Sequence, residues 1–218
     1  MNKTFVFSNG NYGAKEFYLK RLSEERRFVI AVDGGANFLK KLEVIPDLII
    51  GDMDSIKKEV KNYFQMMKVP FLKYPSSKDE LDTELALQWC IEKGYTIISI
   101  FGWKGARVDH SIANLYLLDF GYENGVEMVL EDPDSEAFLI DKNVYLDAFI
   151  GQRWSILPFG GKAEGIEIKG FEYEVEDRNM YMAHPYGISN RAIKKRVKIG
   201  VEKGILLVIR FRKGCNIS

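Results

Sequence analysis

The chain has 218 residues, 46% of them apolar, and its 31 Lys+Arg are balanced by 31 Asp+Glu, so the formal net charge is zero. That composition is ordinary for a globular protein, and the balance gives no global basic field for nucleic acid or an anionic membrane. The length suffices for one large or two small domains with proper cores.

No run approaches the roughly 18 apolar residues of a membrane span, and the apolar run at residues 4–7 is too short for a signal-peptide core. Cys90 and Cys215 form neither a Cys-x-x-Cys pair nor a disulfide framework, which fits a reducing, cytoplasmic setting.

In chain order, residues 5–8 read as a short apolar strand ending in Asn9-Gly10, and residues 14–22 carry helical spacing. Residues 27–32 are a second strand, closed by Asp33-Gly34-Gly35-Ala36-Asn37 and followed by a short helix at 38–42. Residues 48–50 form a third strand that runs into Gly51-Asp52-Met53-Asp54-Ser55, where Ser55 can cap the next helix. Residues 68–73 predict a fourth strand and 74–79 a loop. The clearest helix is 80–92, with Leu81, Leu85, Ala86 and Trp89 along one stripe and Gly94 as its stop. An Ile-rich strand at 95–101, a helix at 109–118 and a strand at 127–130 complete the alternation. The pattern predicts an α/β fold whose parallel or mostly parallel sheet is covered by helices. From about residue 132 the period shortens to strand-like runs such as 154–157, 165–168 and 205–211, split by Gly, Pro and Asn. This predicts a smaller antiparallel β domain, a sandwich or flattened barrel, with domains at 1–139 and 140–218.

Asn9, Asp33, Asp52, Asp54 and the segment after Phe101 all follow strands, the place where open α/β sheets bind ligands. If the chain stays extended past Gly51, Asp52 and Asp54 point to one side. Two such carboxylates are tolerable around a hard cation such as Mg²⁺ that carries phosphates. The alternative is a helix cap and a turn. Lys78-Asp79-Glu80-Leu81-Asp82 adds a second acidic cluster at a helix start, where Asp is also ordinary dipole chemistry. Gly34 and Gly35 permit close backbone approach to a phosphate, or simply make a strand-to-helix turn. In Gly105-Ala106-Arg107-Val108-Asp109-His110, Arg107 has the fork that grips phosphate. There, Asp109 can orient Arg107 or join a metal shell, and His110 can contact phosphate or cap a helix. Asn114, four residues on, is a local partner of that face. Ser189-Asn190 can bind an organic substrate or only turn the chain. The basic residues within 191–198 can contact RNA or phosphates, although a solvated strand face is the simpler reading.

Taken together, these motifs resemble those of the thiamine pyrophosphokinase (thiamine diphosphokinase) family along nearly the whole chain. The family's Asp-Gly-Gly-x-Asn falls on Asp33 to Asn37, and its Gly-Asp-x-Asp-Ser on Gly51 to Ser55. Its Lys-Asp-x-Thr-Asp with a following Ala-Leu falls on Lys78 to Asp82 and Ala86-Leu87, and its Gly-Gly-Arg-x-Asp-His on Gly105 to His110. A Gly-x-x-Tyr segment falls on Gly170 to Tyr173 and the late Ser-Asn on Ser189-Asn190. The chain departs from the pattern at Leu81 for Thr, Ala106 for the second Gly, and Glu174-Val175 for Pro-Leu. The resemblance implies a two-domain homodimer that transfers pyrophosphate from ATP to thiamine, giving AMP and thiamine diphosphate. It implies Mg²⁺ on Asp52, Asp54, Asp79 and Asp82, with Arg107 stabilising the transferring group. ATP would be held by Asn9, Gly10, Asp33, Gly34, Gly35, Asn37, Lys78, Arg107, Asp109 and His110. Thiamine would lie at Ser189 and Asn190. A pyrophosphokinase for another alcohol, a phosphate- or RNA-binding protein and a non-catalytic nucleotide sensor are the rival readings.

Overall fold

A computed structural model describes residues 3–24, 27–75, 81–105, 107–184 and 186–213. Lys78, Asp79, Ala106 and Cys215 lie outside the described residues. The chain divides into two compact units, Met1–Pro133 and Asp134–Ser218.

The first unit is built on β1 (Lys3–Phe7), β2 (Arg27–Val32), β3 (Leu48–Gly51), β4 (Phe71–Lys73), β5 (Ile97–Phe101) and β6 (Glu127–Glu131). They pair in the order β4-β3-β2-β1-β5-β6, and every pairing is parallel. The helices are α1 (Lys15–Glu24), α2 (Gly35–Lys41), α3 (Lys58–Met66), α4 (Asp82–Glu92) and α5 (Val108–Glu123). A central parallel strand is buried on both faces, which is why Thr4-Phe5-Val6-Phe7 is an unbroken apolar run with one Thr. Phe5 and Phe7 share one face and meet Phe101 at centroid distances of 5.2 and 4.9 Å. Tyr18 of α1 and Phe38 of α2 join this cluster, and α3 adds Val60 and Phe64 to the same core. On α4, Leu85, Ala86, Leu87 and Cys90 are the buried stripe, while Leu81 and Trp89 are only partly covered. Burial pushes the Cys90 thiol up to about 12, so it packs as a small apolar side chain.

The strand order places β1 between strands that follow it in opposite directions, β2 on one side and β5 on the other. The crevice beyond the carboxyl ends of β1 and β5 is therefore the expected ligand position of the sheet.

α3 begins at Lys58 rather than at 54–55. Ser55 does not cap it: Lys57 holds the N-cap position, while the Ser55 N–H donates to Asp33 Oδ1 (3.2 Å) and its C=O accepts from Asn37 Nδ2 (2.9 Å). α2 begins at Gly35, earlier than the apolar spacing predicts, and α5 extends beyond 118 to Glu123.

The second unit contains β7 (Ser135–Ile140), β8 (Val144–Asp147), β9 (Arg153–Lys169), β10 (Val175–Tyr181), β11 (Asn190–Arg191), β12 (Arg196–Gly200) and β13 (Lys203–Phe211). All of its pairings are antiparallel. The expected strands at 154–157 and 165–168 are two ends of the single strand β9. Its first part pairs with β13 and β11, and its second part with β10 and β12. Gly160 (φ 72°) and Gly161 (φ 142°) stand between the parts, where the strand leaves one sheet for the other in backbone that favours glycine. Trp154, Ile166, Phe171 and Val208 lie in the core between the sheets. Because β7 pairs with β13 from Ser135 onward, this unit starts ahead of 140.

Among the described residues, no helix is long and apolar enough to cross a membrane.

Candidate active site

Three carboxylates converge at the ends of β2, β3 and the start of α4. One oxygen each from Asp33, Asp52 and Asp82 lies within 4.8 Å of the others. Asp33 follows β2 in the left-handed region (φ 43°), which Asp tolerates better than most residues. Gly51 ends β3 at φ 141°, and a Cβ there would stand 3.1 Å from Asp33 Cβ and 3.4 Å from Asp82 Oδ1. Its missing side chain is the space into which the carboxylates converge. Burial pushes the Asp33 carboxyl up; hydrogen bonds from Ser55 oppose the rise, and the charges of Asp52 and Asp82 add to it. Such a group of like charges, one of them buried, has the donor set of a hard-cation site.

Asp54 stands outside this group, for a local reason. The chain does not stay extended past Gly51: Met53 is buried at φ 72°, and Asp52 Oδ1 accepts the Asp54 N–H at 3.0 Å. This turn gives Asp52 and Asp54 different directions and leaves Asp54 exposed.

A cleft of about 320 Å³ opens beside Asp33 and Asp82. Ser8, Asn9 and Gly10 line it from the end of β1, and Gly102, Trp103 and Gly105 from the end of β5. Arg107, His110 and Asn114 contribute from the start of α5. The two loops pack without slack: a Cβ on Gly10 would lie 2.0 Å from the Gly102 carbonyl oxygen. Ser8 Oγ and Thr83 Oγ1, both buried, share a hydrogen bond of 3.1 Å that ties β1 to the first turn of α4 beside Asp82.

Gly34, Gly35 and Asn37 are not among the lining residues, and each has a structural task. A Cβ on Gly34 would stand 2.0 Å from Asn9 Oδ1, and one on Gly35 1.9 Å from the Phe7 carbonyl oxygen. Asn37 spends its amide on Ser55 and on the Lys57 N–H, the latter at 3.0 Å. Arg107 and Asp109 form a two-pronged ion pair on the surface, which holds the Asp109 carboxyl below the usual carboxylate range. Asp109 Oδ1 also accepts the His110 N–H at 3.0 Å. Asp109 thus orients Arg107 and stands apart from the carboxylate group.

In the second unit, Asn190 is buried and both ends of its amide are engaged. Oδ1 accepts from the Tyr173 N–H (3.1 Å) and the Arg191 N–H (2.9 Å), while Nδ2 donates to the Tyr173 C=O (2.7 Å). Ser189 is exposed, at φ 61°, with its N–H on Ser155 Oγ.

Sequence reasoning missed Ser8, Thr83, Trp103 and Leu81 as lining residues. The signals were present: Ser8 precedes Asn9-Gly10, Thr83 follows Asp82, and Trp103 interrupts the glycines after β5.

Two family models match the chain. That of the thiamin pyrophosphokinase catalytic domain matches residues 19–130, and that of the thiamin pyrophosphokinase vitamin B1 binding domain matches residues 140–206. The thiamine pyrophosphokinase of Bacillus subtilis (strain 168) is 30% identical over 190 residues, which are 86% of this chain and 89% of that protein. A crystal structure of the Bacillus subtilis thiamine pyrophosphokinase superposes with a TM-score of 0.87 at 26% identity, covering 98% of this chain and all of that one. The yeast thiamin pyrophosphokinase structure shares the fold, with a TM-score of 0.80 at 18% identity over 97% of this chain and 86% of its own.

Proposed function

This chain belongs to the thiamine pyrophosphokinase family and is an ATP-dependent thiamine pyrophosphotransferase; we propose that Asp33, Asp52 and Asp82, with the cleft beside them, form its Mg·ATP site. The observation that carries this reading is the convergence of three carboxylates beside a cleft at the carboxyl ends of β1 and β5. The donor set fits Mg²⁺, and the family resemblance also assigns Asp54 and Asp79 to the metal. When bound, Mg²⁺ supplies positive charge against the phosphate oxygens and so favours displacement at phosphorus.

The chain's own residues do the rest. Thiamine's hydroxyl oxygen, its proton passing to water or to a carboxylate of the site, attacks the β-phosphorus of ATP and the bond to the AMP oxygen breaks, so AMP leaves as thiamine diphosphate forms. Arg107, kept in one orientation by Asp109, presents a flat pair of donors to the polyphosphate. Lys78 adds charge, and His110 approaches from the first turn of α5. Asn9 and Gly10 bring the backbone close to the nucleotide, while Gly34, Gly35 and Asn37 support Asn9 and the Asp33 turn from behind. The thiamine ring is held by the second unit at the Ser189–Asn190 turn, where the Asn190 amide also fixes Tyr173. The same reading includes a homodimer in a cytoplasmic setting, with the free thiol of Cys90 kept reduced.

A pyrophosphokinase for another alcohol and a nucleic-acid binder are not favoured. In the basic stretch, Lys198 pairs with Glu167 and Arg196 lies over Tyr145 at 5.4 Å, as on an ordinary solvated strand. The deciding experiment is incubation with ATP, Mg²⁺ and a panel of vitamin alcohols. AMP release that requires thiamine and is abolished by EDTA is expected; ADP release, or AMP release indifferent to thiamine, would overturn the assignment.

A further inference from the structure

We propose that Asn114 of α5 is a positioning residue for the nucleotide side of the cleft: it sets the segment 102–105, and through it Arg107. This rests on the phosphate role given to Arg107 above. Asn114 is 8% exposed, and its Nδ2 donates to the Trp103 C=O at 2.8 Å. One turn earlier on the same face, Ser111 Oγ accepts the Gly105 N–H at 3.0 Å. The far side of the segment is held as well. The Lys104 C=O accepts the Asn11 N–H at 2.6 Å, and the Lys104 ammonium pairs with Asp132 at 2.5 Å.

Each of Trp103, Lys104 and Gly105 is therefore fixed by at least one named partner, although the segment has no regular secondary structure. α5 acts as a template, because Arg107 is the N-cap residue of the helix that carries Asn114 and Ser111. A side-chain amide suits this position. It offers an uncharged donor in a buried place, whereas a carboxylate of the same shape would face the Trp103 carbonyl with a lone pair and a charge. Loss of the donor frees the Trp103 carbonyl and lets the segment drift, and displacements of about 1 Å at a reacting centre cost up to a hundredfold in rate.

The test is a double-mutant cycle with ATP as the varied substrate, using Asn114→Asp as the isosteric change and Asn114→Ala as the second variant. Either change is expected to lower kcat/KM for ATP by roughly tenfold to a hundredfold while the melting temperature stays within a few degrees. In an Arg107→Ala background, Asn114→Asp should cost less than about twofold, because the residue it positions is gone. Emission from Trp103, isolated as the difference from a Trp103→Phe protein, should shift in both Asn114 variants. The same fold-loss in both backgrounds, unchanged kinetics, or a loss matched by unfolding would overturn the proposal. Unchanged kinetics for Arg107→Ala would remove the phosphate role of Arg107 alone. The positioning of the segment would then be decided by the Trp103 emission, and an unshifted emission would overturn it.

Discussion

Met53 and Asp33 carry the backbone cost of the carboxylate group. Both are non-glycine residues at positive φ, a conformation that costs on the order of 1 kcal/mol or more and clusters at functional sites. The distortion turns Asp52 toward Asp33 and Asp82, and turns Asp54 away. Two neighbouring acids of one motif should therefore behave differently. Asp52→Asn is expected to lose roughly a hundredfold or more in turnover, the scale of a lost electrostatic contact to a transferring group. It should also abolish the rise in melting temperature on adding Mg²⁺, without lowering the metal-free value, because one of three mutually repelling charges is gone. Asp54→Asn should be much milder by both measures. Turnover and Mg²⁺-dependent melting of the two variants check this, and equal losses would mean that the turn at Met53 does not separate their roles. Gly51→Ala tests the convergence itself. The added methyl, at φ 141° and 3.1 Å from Asp33 Cβ, should cost about 1–3 kcal/mol in urea unfolding and most of the activity.

At the level of elements, one buried ion pair ties the helical layer to the sheet. Arg21 of α1 meets Glu131 of β6 through two hydrogen bonds, at 3.0 and 2.9 Å, and Ser99 of β5 donates to the same carboxylate at 2.7 Å. Glu131 is almost fully buried, so removing Arg21 takes a two-pronged partner from a desolvated carboxylate. Arg21→Ala is expected to cost about 3–5 kcal/mol. Arg21→Met together with Glu131→Met should recover much of that loss. A urea midpoint for Arg21→Ala close to the parent's would show that the carboxylate is neutral or hydrated in the folded state.

The same level shows why parts of the fold were legible in the chain and others were not. β1, β3 and β5 are buried on both faces, so each is an apolar run bounded by glycine or a polar turn, and the parallel sheet follows from their alternation with helices. β10 is Val-Glu-Asp-Arg-Asn-Met-Tyr, largely exposed and joined to β9 through register shifts, so neither apolarity nor period marks it. The sequence predicts two strands within β9 because Gly and Pro split its apolar runs, whereas Gly160 and Gly161 bend a strand that continues. In the site, Asp33 and Asp52 are legible as acids at strand ends and Asp82 as an acid at a helix start, although the sequence assigns Asp33 to the nucleotide and not to the metal. The sense of the Met53 turn was not, because it is set by tertiary contacts that hold a bulky residue in the left-handed region.

For the whole molecule, a net charge of zero leaves association to be decided by apolar surface rather than by repulsion. The second unit exposes such surface along one stretch: Met182 is 57%, Tyr186 72% and Ile188 56% exposed, and the His184 and Tyr186 rings stack at 5.8 Å. The stretch precedes Ser189 and Asn190, so in the proposed homodimer an interface there would stand beside the turn proposed to hold thiamine. Met182→Asp with Ile188→Asp places two charges in the surface that such an interface would desolvate, while touching neither the carboxylate group nor Asn190. Sedimentation equilibrium should show the parent as a dimer and the double variant as a monomer, with KM for thiamine raised and the thermal transition of the fold retained. The coupling of assembly to KM for thiamine, rather than for ATP, is the discriminating readout, because the carboxylates and Arg107 belong to the first unit. A parent that sediments as a monomer with full turnover would remove the dimer from the reading. A monomeric double variant with unchanged KM for thiamine would move the thiamine turn away from the interface.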